Sequence, residues 1–228
     1  LITGLLSSVW VLLWWKTYRK PEEHPKLSKA ELDYINSDSE PETDERIPWA
    51  KVLPKRETWA FAITTITDAV WWFYLFWGAK FLAKNFAVDI DNMGLPFMII
   101  FVLADAGSLI GGYISGLLIK KGWSINKARK ITLLVSACIV FPVSFVPVLA
   151  SKWLAVFLIG MGAAGHQSWS INSYTLVPDV FPKKATASVI GIGKMIGVIT
   201  SIVASLILGI ALDQAGNTGY FWAFVLAG

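Results

Sequence analysis

The chain has 228 residues, of which 55% are apolar and only 16% charged, and its formal net charge is +4. The apolar share is well above that of an ordinary soluble domain, and ten of the sixteen acidic residues fall between residues 17 and 58. This distribution predicts a membrane protein with one hydrophilic segment, and the placement of the basic residues argues against nucleic-acid binding. The single cysteine, Cys138, excludes a disulfide framework within the chain.

Apolar runs of about 20 residues, enough to cross a bilayer, recur along the chain. We expect the end of one transmembrane helix at 1–15, a polar loop at 16–57 and a helical bundle over 58–228. The predicted spans of this bundle are 58–83, 93–119, 128–149, 153–177 and 185–212, with a further, incomplete span that begins near Gly219. The fold class is therefore an all-α membrane protein, and both ends of the chain are interpreted as cuts through helices.

The polar loop has two parts of different character. Ser28 and Glu31 in "LSKAELDYI" fit a capping box that opens a short helix, with Leu32 and Ile35 on one face. The acidic stretch that follows, including 38–45, has too few apolar residues to pack and is expected to be a solvated linker.

The basic residues predict the orientation in the membrane. The 16–57 loop holds nine lysines and arginines, the 120–130 turn holds five and the 183–184 turn holds two, whereas the opposite side has three. These richly basic connections alternate along the chain and so share one side. By the positive-inside rule, that side is the cytoplasm.

Four ionisable side chains fall inside predicted spans, where a charge is costly and often functional. They are Asp68, Asp105, His166 and Lys194. For Asp68, a proton-binding role and a hydrogen-bonded structural role are both open. Asp105 is followed by closely spaced glycines, which favours a role in tying helices together or in gating.

The stretch "GHQSWSINSY" at 165–174 is unusually polar for a transmembrane helix. At 100° per residue its polar groups cannot all avoid lipid unless one stripe faces water or another helix. An indole beside amides and hydroxyls is suited to a sugar, and Lys194 adds a cation, so the set suits a polyhydroxylated anion. Polar contacts between helices are the structural alternative.

Other chemistry is not indicated by the sequence. "GMGAAG" matches G-x-G-x-x-G, but no strand precedes it, so a nucleotide-binding fold is not expected. His24 and His166 have no cysteine partner, so neither a metal site nor a cofactor is predicted. There is no catalytic constellation, and we do not expect an enzyme.

Long motifs carry a resemblance to a known family. "RKPEEHPKLSKAELDYI", "TDAVWWFYLFW", "ADAGSLIGGY" and "GHQSWSIN…LVPDVFPKKATASVIGIG" resemble the anion:cation symporters of the major facilitator superfamily. The likeness is greatest to bacterial hexuronate (glucuronate/galacturonate) transporters. The resemblance implies two six-helix bundles, of which this chain is the C-terminal one, in the bacterial inner membrane. It also implies that the bundles rock about a midplane substrate site.

The resemblance also implies a function and a site. The function is import of a hexuronate with a cation, expected to be a proton, and the other bundle is the expected partner. The substrate-binding candidates are Trp72, His166, Gln167, Ser168, Trp169, Asn172 and Lys194, with Asp68 and Asp105 as proton or gating candidates. Lys194 departs from the small or neutral residue expected there. An aldonate or an aldarate remains an alternative substrate, and a receptor or scaffold that uses the acidic loop is an alternative class.

Overall fold

A computed structural model describes residues 2–37 and 47–228 of the chain. The chain divides into two compact units, Leu1–Glu45 and Arg46–Gly228. Every regular element in the described residues is helical, in agreement with the all-α prediction.

The first unit contains an apolar helix and a short capped helix. Helix α1 covers Ile2–Thr17, a 3₁₀ turn covers Pro21–Glu23, and α2 covers Lys29–Asn36. The predicted capping box is confirmed: the Ser28 hydroxyl accepts from the Glu31 backbone N–H, and the Ser28 N–H donates to the Glu31 carboxylate at 3.0 Å. The linker predicted at 38–45 lies outside the described residues.

The second unit begins with a succession of short helical pieces and continues with long helices. The pieces are α3 (Trp49–Val52), α4 (Arg56–Thr65), α5 (Asp68–Trp72), a π-helix (Phe73–Gly78) and α6 (Ala79–Phe86). The later helices are α7 (Gly94–Lys120), α8 (Ile125–Val140) with a 3₁₀ extension (Phe141–Val148), α9 (Lys152–Val180), α10 (Lys183–Ala215) and α11 (Asn217–Ala227).

The helix ends have local causes. Ser124 and Ser151 cap α8 and α9 with side-chain oxygens that accept backbone N–H groups at 3.4 Å. α8 tightens into a 3₁₀ helix at Phe141, where Pro142 follows, because proline cannot donate the next backbone hydrogen bond. Gly216, with φ +56°, separates α10 from α11 in a conformation that favours glycine.

Helix α9 is the central helix of the second unit. Gly107 and Gly111 of α7 lie against it so closely that an added Cβ would meet Ala164 and Ser168. Small residues at this spacing allow two helices to approach. Gly112 and Gly116 of the same run face open space, so the predicted packing role applies to only part of it.

Within the described residues, three helical stretches are long and apolar enough to cross a membrane. They are Gly94–Lys120, Ile125–Val148 and Lys183–Ala215. α9 is also long, with 29 residues, but its polar run from His166 to Thr175 lowers its hydropathy. The first predicted span, 58–83, is divided among several pieces rather than forming one continuous helix.

Candidate functional site

The site begins at a break between α4 and α5. Thr64 and Thr65 donate their hydroxyls to carbonyls three residues earlier, and Thr67 donates to the Thr64 carbonyl at 2.8 Å. Such side-chain bonds compete with the helical ladder, and this run of threonines accounts for the interruption. The break leaves backbone carbonyls available to other helices.

Two side chains of α9 bind those carbonyls. His166 Nε2 lies 2.9 Å from the Thr67 carbonyl oxygen, and the Trp169 indole N–H donates to the Thr64 oxygen at 3.4 Å. Because a carbonyl only accepts, His166 carries its hydrogen on Nε2 in this contact. Both predicted site residues therefore hold the broken helix in place.

Asp68 is the first residue of α5 and pairs with a cation from α10. Its Oδ2 is 2.8 Å from Lys194 Nζ, and its Oδ1 is 4.0 Å from His166 Nε2. The Asp68 side chain is 15% exposed, whereas that of Lys194 is 47% exposed. The Asp68 side chain is thus mostly enclosed by the helices, whereas about half of the Lys194 side chain is exposed.

Glycines of α10 make this pairing possible. A Cβ at Gly197 would lie 3.0 Å from Asp68 Oδ2 and 2.9 Å from the Thr65 carbonyl oxygen. The Thr65 hydroxyl also donates to the Gly193 carbonyl at 2.8 Å. The broken helix therefore packs directly on the backbone of α10, which brings Asp68 within reach of Lys194.

Aromatic rings surround the pair. Trp71 stacks on His166 with centroids 6.1 Å apart, and Lys194 Nζ lies 4.9 Å from the centroid of the Tyr174 ring. Trp72 stacks on Phe76 at 5.6 Å and is 39% exposed. A cleft of about 240 Å³ adjoins His166 and Trp169. A larger cleft, about 450 Å³, has a mainly apolar lining that includes Val70 and Trp77. The lining of neither cleft includes Asp68 or Lys194.

Ser168 and Asn172 belong to a different cluster. Ser168 Oγ is 2.7 Å from Ser136 Oγ of α8, and Asn172 donates to the Ser168 carbonyl at 2.9 Å. Arg129 of α8 donates to the Asn172 side-chain oxygen at 3.4 Å. Asn172 is 1% exposed, so these two predicted substrate ligands lie in helix contacts, as in the structural alternative.

Arg129 joins three helices in this cluster. Besides Asn172, it donates to Ser115 Oγ of α7, and its Nε is 3.0 Å from Asp179 Oδ2 at the end of α9. The side chains of Arg129 and Asp179 are only 12% and 22% exposed. The network fixes the shared end of α7, α8 and α9.

The remaining predicted residues are placed as follows. Gln167 is half-buried on α9, and Asp105 is exposed on α7 with no ion-pair partner among residues 2–37 and 47–228. Asp105 is one helical turn from Phe101, whose ring contacts Trp71 edge-on at 6.2 Å. Asp105 therefore shares a helix face with a ring that reaches the His166 side of the site.

Four contributors were not among the site residues predicted from the sequence: Thr67, Trp71, Arg129 and Tyr174. A signal for the break was present in the threonines of "ITTITD", since threonine bonds readily to the backbone of the preceding turn. The ion-pair partners of Arg129 and Lys194 have no such local signal. Asp179 is 50 residues from Arg129, and Asp68 is 126 residues from Lys194.

Comparison with protein families matches residues 1–205 to the Major Facilitator Superfamily. The chain is 26% identical to a probable galactarate/D-glucarate transporter of Bacillus subtilis (strain 168), over 98% of this chain and 52% of that protein. It is 24% identical to a hexuronate transporter of Escherichia coli (strain K12), over 97% of this chain and 52% of that protein. A D-galactonate transporter of Escherichia coli O6:H1 is 26% identical, over 92% and 51%. The chain spans about half the length of these curated relatives.

Proposed function

Because the chain belongs to the Major Facilitator Superfamily, we propose that it forms the C-terminal six-helix bundle of a secondary transporter. The transporter imports a hexuronate with a proton across a bacterial inner membrane, and the loop 16–57 is cytoplasmic. The second unit rocks against an N-terminal bundle, and the substrate binds between them near the midplane. The match over 1–205 and the transporter names of the relatives support this proposal.

The observation that carries the proposal is the half-exposed side chain of Lys194, which pairs with Asp68 beside a broken helix. A lysine in the middle of a membrane helix is costly unless it is paired or faces water, and Lys194 is both paired and 47% exposed. A half-exposed cation at this depth is suited to an organic anion. The three relatives described above are named for sugar acids.

The individual roles follow from chemistry and exposure. Lys194 pairs with the substrate carboxylate, and the exposed Trp72 ring packs on the C–H face of the sugar. Gln167 supplies a hydrogen bond to a hydroxyl. His166 and Trp169 act by holding the helix break, and Ser168 and Asn172 act by fixing α9 within its bundle. Asp105 faces the pathway on α7.

The choice of sugar acid has one specific alternative. A hexuronate carries one carboxylate and an aldarate carries two, and relatives of similar identity are named for hexuronate, galactarate and galactonate. This chain presents Lys194 as its exposed cation beside Asp68. A single ammonium pairs with one carboxylate, as in a hexuronate or an aldonate, and an aldarate would need a second cation from the remainder of the protein.

The test is uptake of labelled glucuronate, galactonate and galactarate by the intact protein in energised cells. We expect uptake of glucuronate, and a loss of about tenfold or more in Lys194→Ala, because a charged hydrogen bond contributes roughly 1.5–3 kcal/mol. Lys130→Ala, an exposed lysine on α8, is the matched control and should transport normally. Wild-type uptake of none of the three acids, or a normal rate in Lys194→Ala, contradicts the proposal.

A further inference from the structure

The larger of the two clefts lies between α5, the π-helix, α10 and α11, and its volume is about 450 Å³. Its lining is mainly apolar and rich in alanine. On α10 the lining runs from Ala204 to Ala215, which corresponds to about 16 Å along the helix at a rise of about 1.5 Å per residue. The cleft is therefore about as long as one leaflet's share of a ~30 Å hydrocarbon core.

Two lysines of α6 lie beside one end of this cleft. Lys80 Nζ is 4.4 Å from the centroid of the Trp77 ring, which is part of the lining. Lys84 Nζ is 4.0 Å from the position that a Cβ would take at Gly216. Gly216 directly follows Ala215, the last lining residue of α10. Both ammonium groups are thus placed near the turn that joins α10 to α11.

The positive charge at this end of the cleft is not balanced by a nearby acid. Lys80 and Lys84 are exposed, and neither has an ion-pair partner in the part of the chain that the structure describes. Asp213 is two residues from the lining residue Ala211, so at about 100° per residue it lies on the opposite side of α10. These two are also among only three lysines predicted for the side of the membrane opposite the basic connections.

We infer that the larger cleft binds one acyl chain of an anionic phospholipid, whose phosphate pairs with Lys80 and Lys84. The acyl chain packs against the apolar lining, and the headgroup stays at the membrane surface beside the lysines and Trp77. The lipid belongs to the leaflet away from the basic 120–130 turn. This site goes beyond the proposed function and does not depend on which substrate is transported.

The combination of an apolar cleft with unpaired charge at one end favours a lipid over other occupants. A soluble anion would pair with the lysines but would leave the apolar lining uncovered. A helix of the other bundle would cover the lining but would have no general need for two ammonium groups at one end. An anionic phospholipid supplies both an apolar chain and a negative headgroup, at the separation that the bilayer itself sets.

The experiment titrates the purified, intact protein in detergent with phosphatidylglycerol and with phosphatidylcholine of the same acyl chains, and native mass spectrometry counts the bound lipids. The wild type should bind the anionic lipid about tenfold or more tightly than the zwitterionic one. The double variant Lys80→Gln/Lys84→Gln should weaken phosphatidylglycerol binding by about fivefold for each lysine and leave phosphatidylcholine binding unchanged. Ala211→Phe, which adds bulk inside the cleft, should weaken the binding of both lipids.

Two control variants match these changes outside the cleft. Lys152→Gln removes a lysine that also lies over an indole, with Nζ 4.9 Å from the Trp153 centroid, and Ile210→Phe adds bulk at an exposed position of α10. Both should bind phosphatidylglycerol as the wild type does.

The inference is overturned if the wild type binds the two lipids equally, or if either cleft variant binds phosphatidylglycerol as tightly as the wild type. Displacement of the lipid by glycerol phosphate, which has no acyl chain, would indicate a site for soluble anions instead. Binding of no lipid to the intact wild type would indicate that the other bundle covers the cleft, and it also overturns the inference.

Discussion

Two ion pairs between helices of the second unit, Arg129–Asp179 and Lys194–Asp68, have opposite surroundings. Arg129 and Asp179 are 12% and 22% exposed, and Arg129 also donates to Ser115 and Asn172, so its donors are directed inward. Lys194 is 47% exposed and Asp68 lies at a break in a helix. The first pair therefore holds three helices together, while the second leaves about half of its cationic side chain exposed. Burial and the number of partners, rather than the presence of opposite charges, distinguish the two roles.

The largest effect on stability is expected for Arg129→Ala. Removing the guanidinium leaves Asp179 unpaired and Asn172 and Ser115 without their shared donor. For a mostly buried pair we expect a loss of about 2–3 kcal/mol, since truncating one partner strands the other. Thermal unfolding of the intact protein in detergent measures this loss.

The matched variant is Lys194→Ala, which removes the cation that pairs with Asp68. It leaves Asp68, whose side chain is 15% exposed, without its cation, so some destabilisation is expected. The loss should be smaller than in Arg129→Ala, because Lys194 donates to Asp68 alone among the hydrogen bonds described, whereas Arg129 donates to three side chains. If both variants lowered the unfolding temperature equally, burial and the number of partners would not distinguish the two ion pairs.

An intermediate effect on stability is expected when the close contact between α7 and α9 is widened. Gly107→Ala places a methyl group against the Ala164 backbone, which forces α7 away from α9 and should cost about 1–3 kcal/mol. Gly112→Ala is the matched control five residues further along α7, where no atom lies within 4 Å. The control should be neutral or stabilising by up to about 1 kcal/mol, since alanine favours the helix. Unfolding curves in detergent compare the two, and indistinguishable curves would contradict the close α7–α9 approach.

The smallest effect is expected at the Ser28–Glu31 capping box, an exposed contact that serves as a reference for the two ion pairs. Hydrogen bonds from the Ser28 N–H and hydroxyl stabilise the carboxylate and lower the pKa of Glu31 from its usual 4.5. A lowered pKa means that the contribution to α2 is present above pH 4.5 and is lost as the pH falls through the lower value. Carbon-13 NMR of the labelled Glu31 carboxyl should show this midpoint, and Ser28→Ala should return it toward 4.5. Because Ser28→Ala keeps the backbone N–H, an unchanged midpoint would rule out the contribution of the hydroxyl alone.

Features that depend on residues close together in the sequence were predictable. Hydropathy located the long helices, and the spacing of Ser28 and Glu31 located a helix start, because both follow from local chemistry. The break at Thr64–Asp68 divided a span that hydropathy alone shows as continuous. It depends on threonine hydroxyls and on His166, which is 99 residues from its acceptor.

The sequence indicates which polar residues are candidates for the site, but not which of them contact one another in the folded bundle. Helical periodicity places Ser168 and Asn172 on one polar stripe of the helix. It does not show whether that stripe faces a water-filled cleft or polar side chains of another helix, such as Arg129. Likewise, the sequence shows Lys194 and Asp68 as separate charges 126 residues apart, and only tertiary packing makes them a pair. The difference between a ligand site and a structural contact is therefore a property of the assembled bundle.

The most direct measurement of the central claim restores the Lys194 ammonium chemically. In a protein whose native cysteines, Cys138 included, are replaced by serine, Lys194→Cys should be inactive in glucuronate uptake. Reaction with an aminoethyl thiosulfonate should restore both a primary amine and uptake, whereas a sulfonated reagent should react without restoring it. Asn172→Cys, which is enclosed among helices, should react with neither. Normal uptake by Lys194→Cys before treatment, or a thiol at 194 that fails to react while the one at 172 does, would contradict the account.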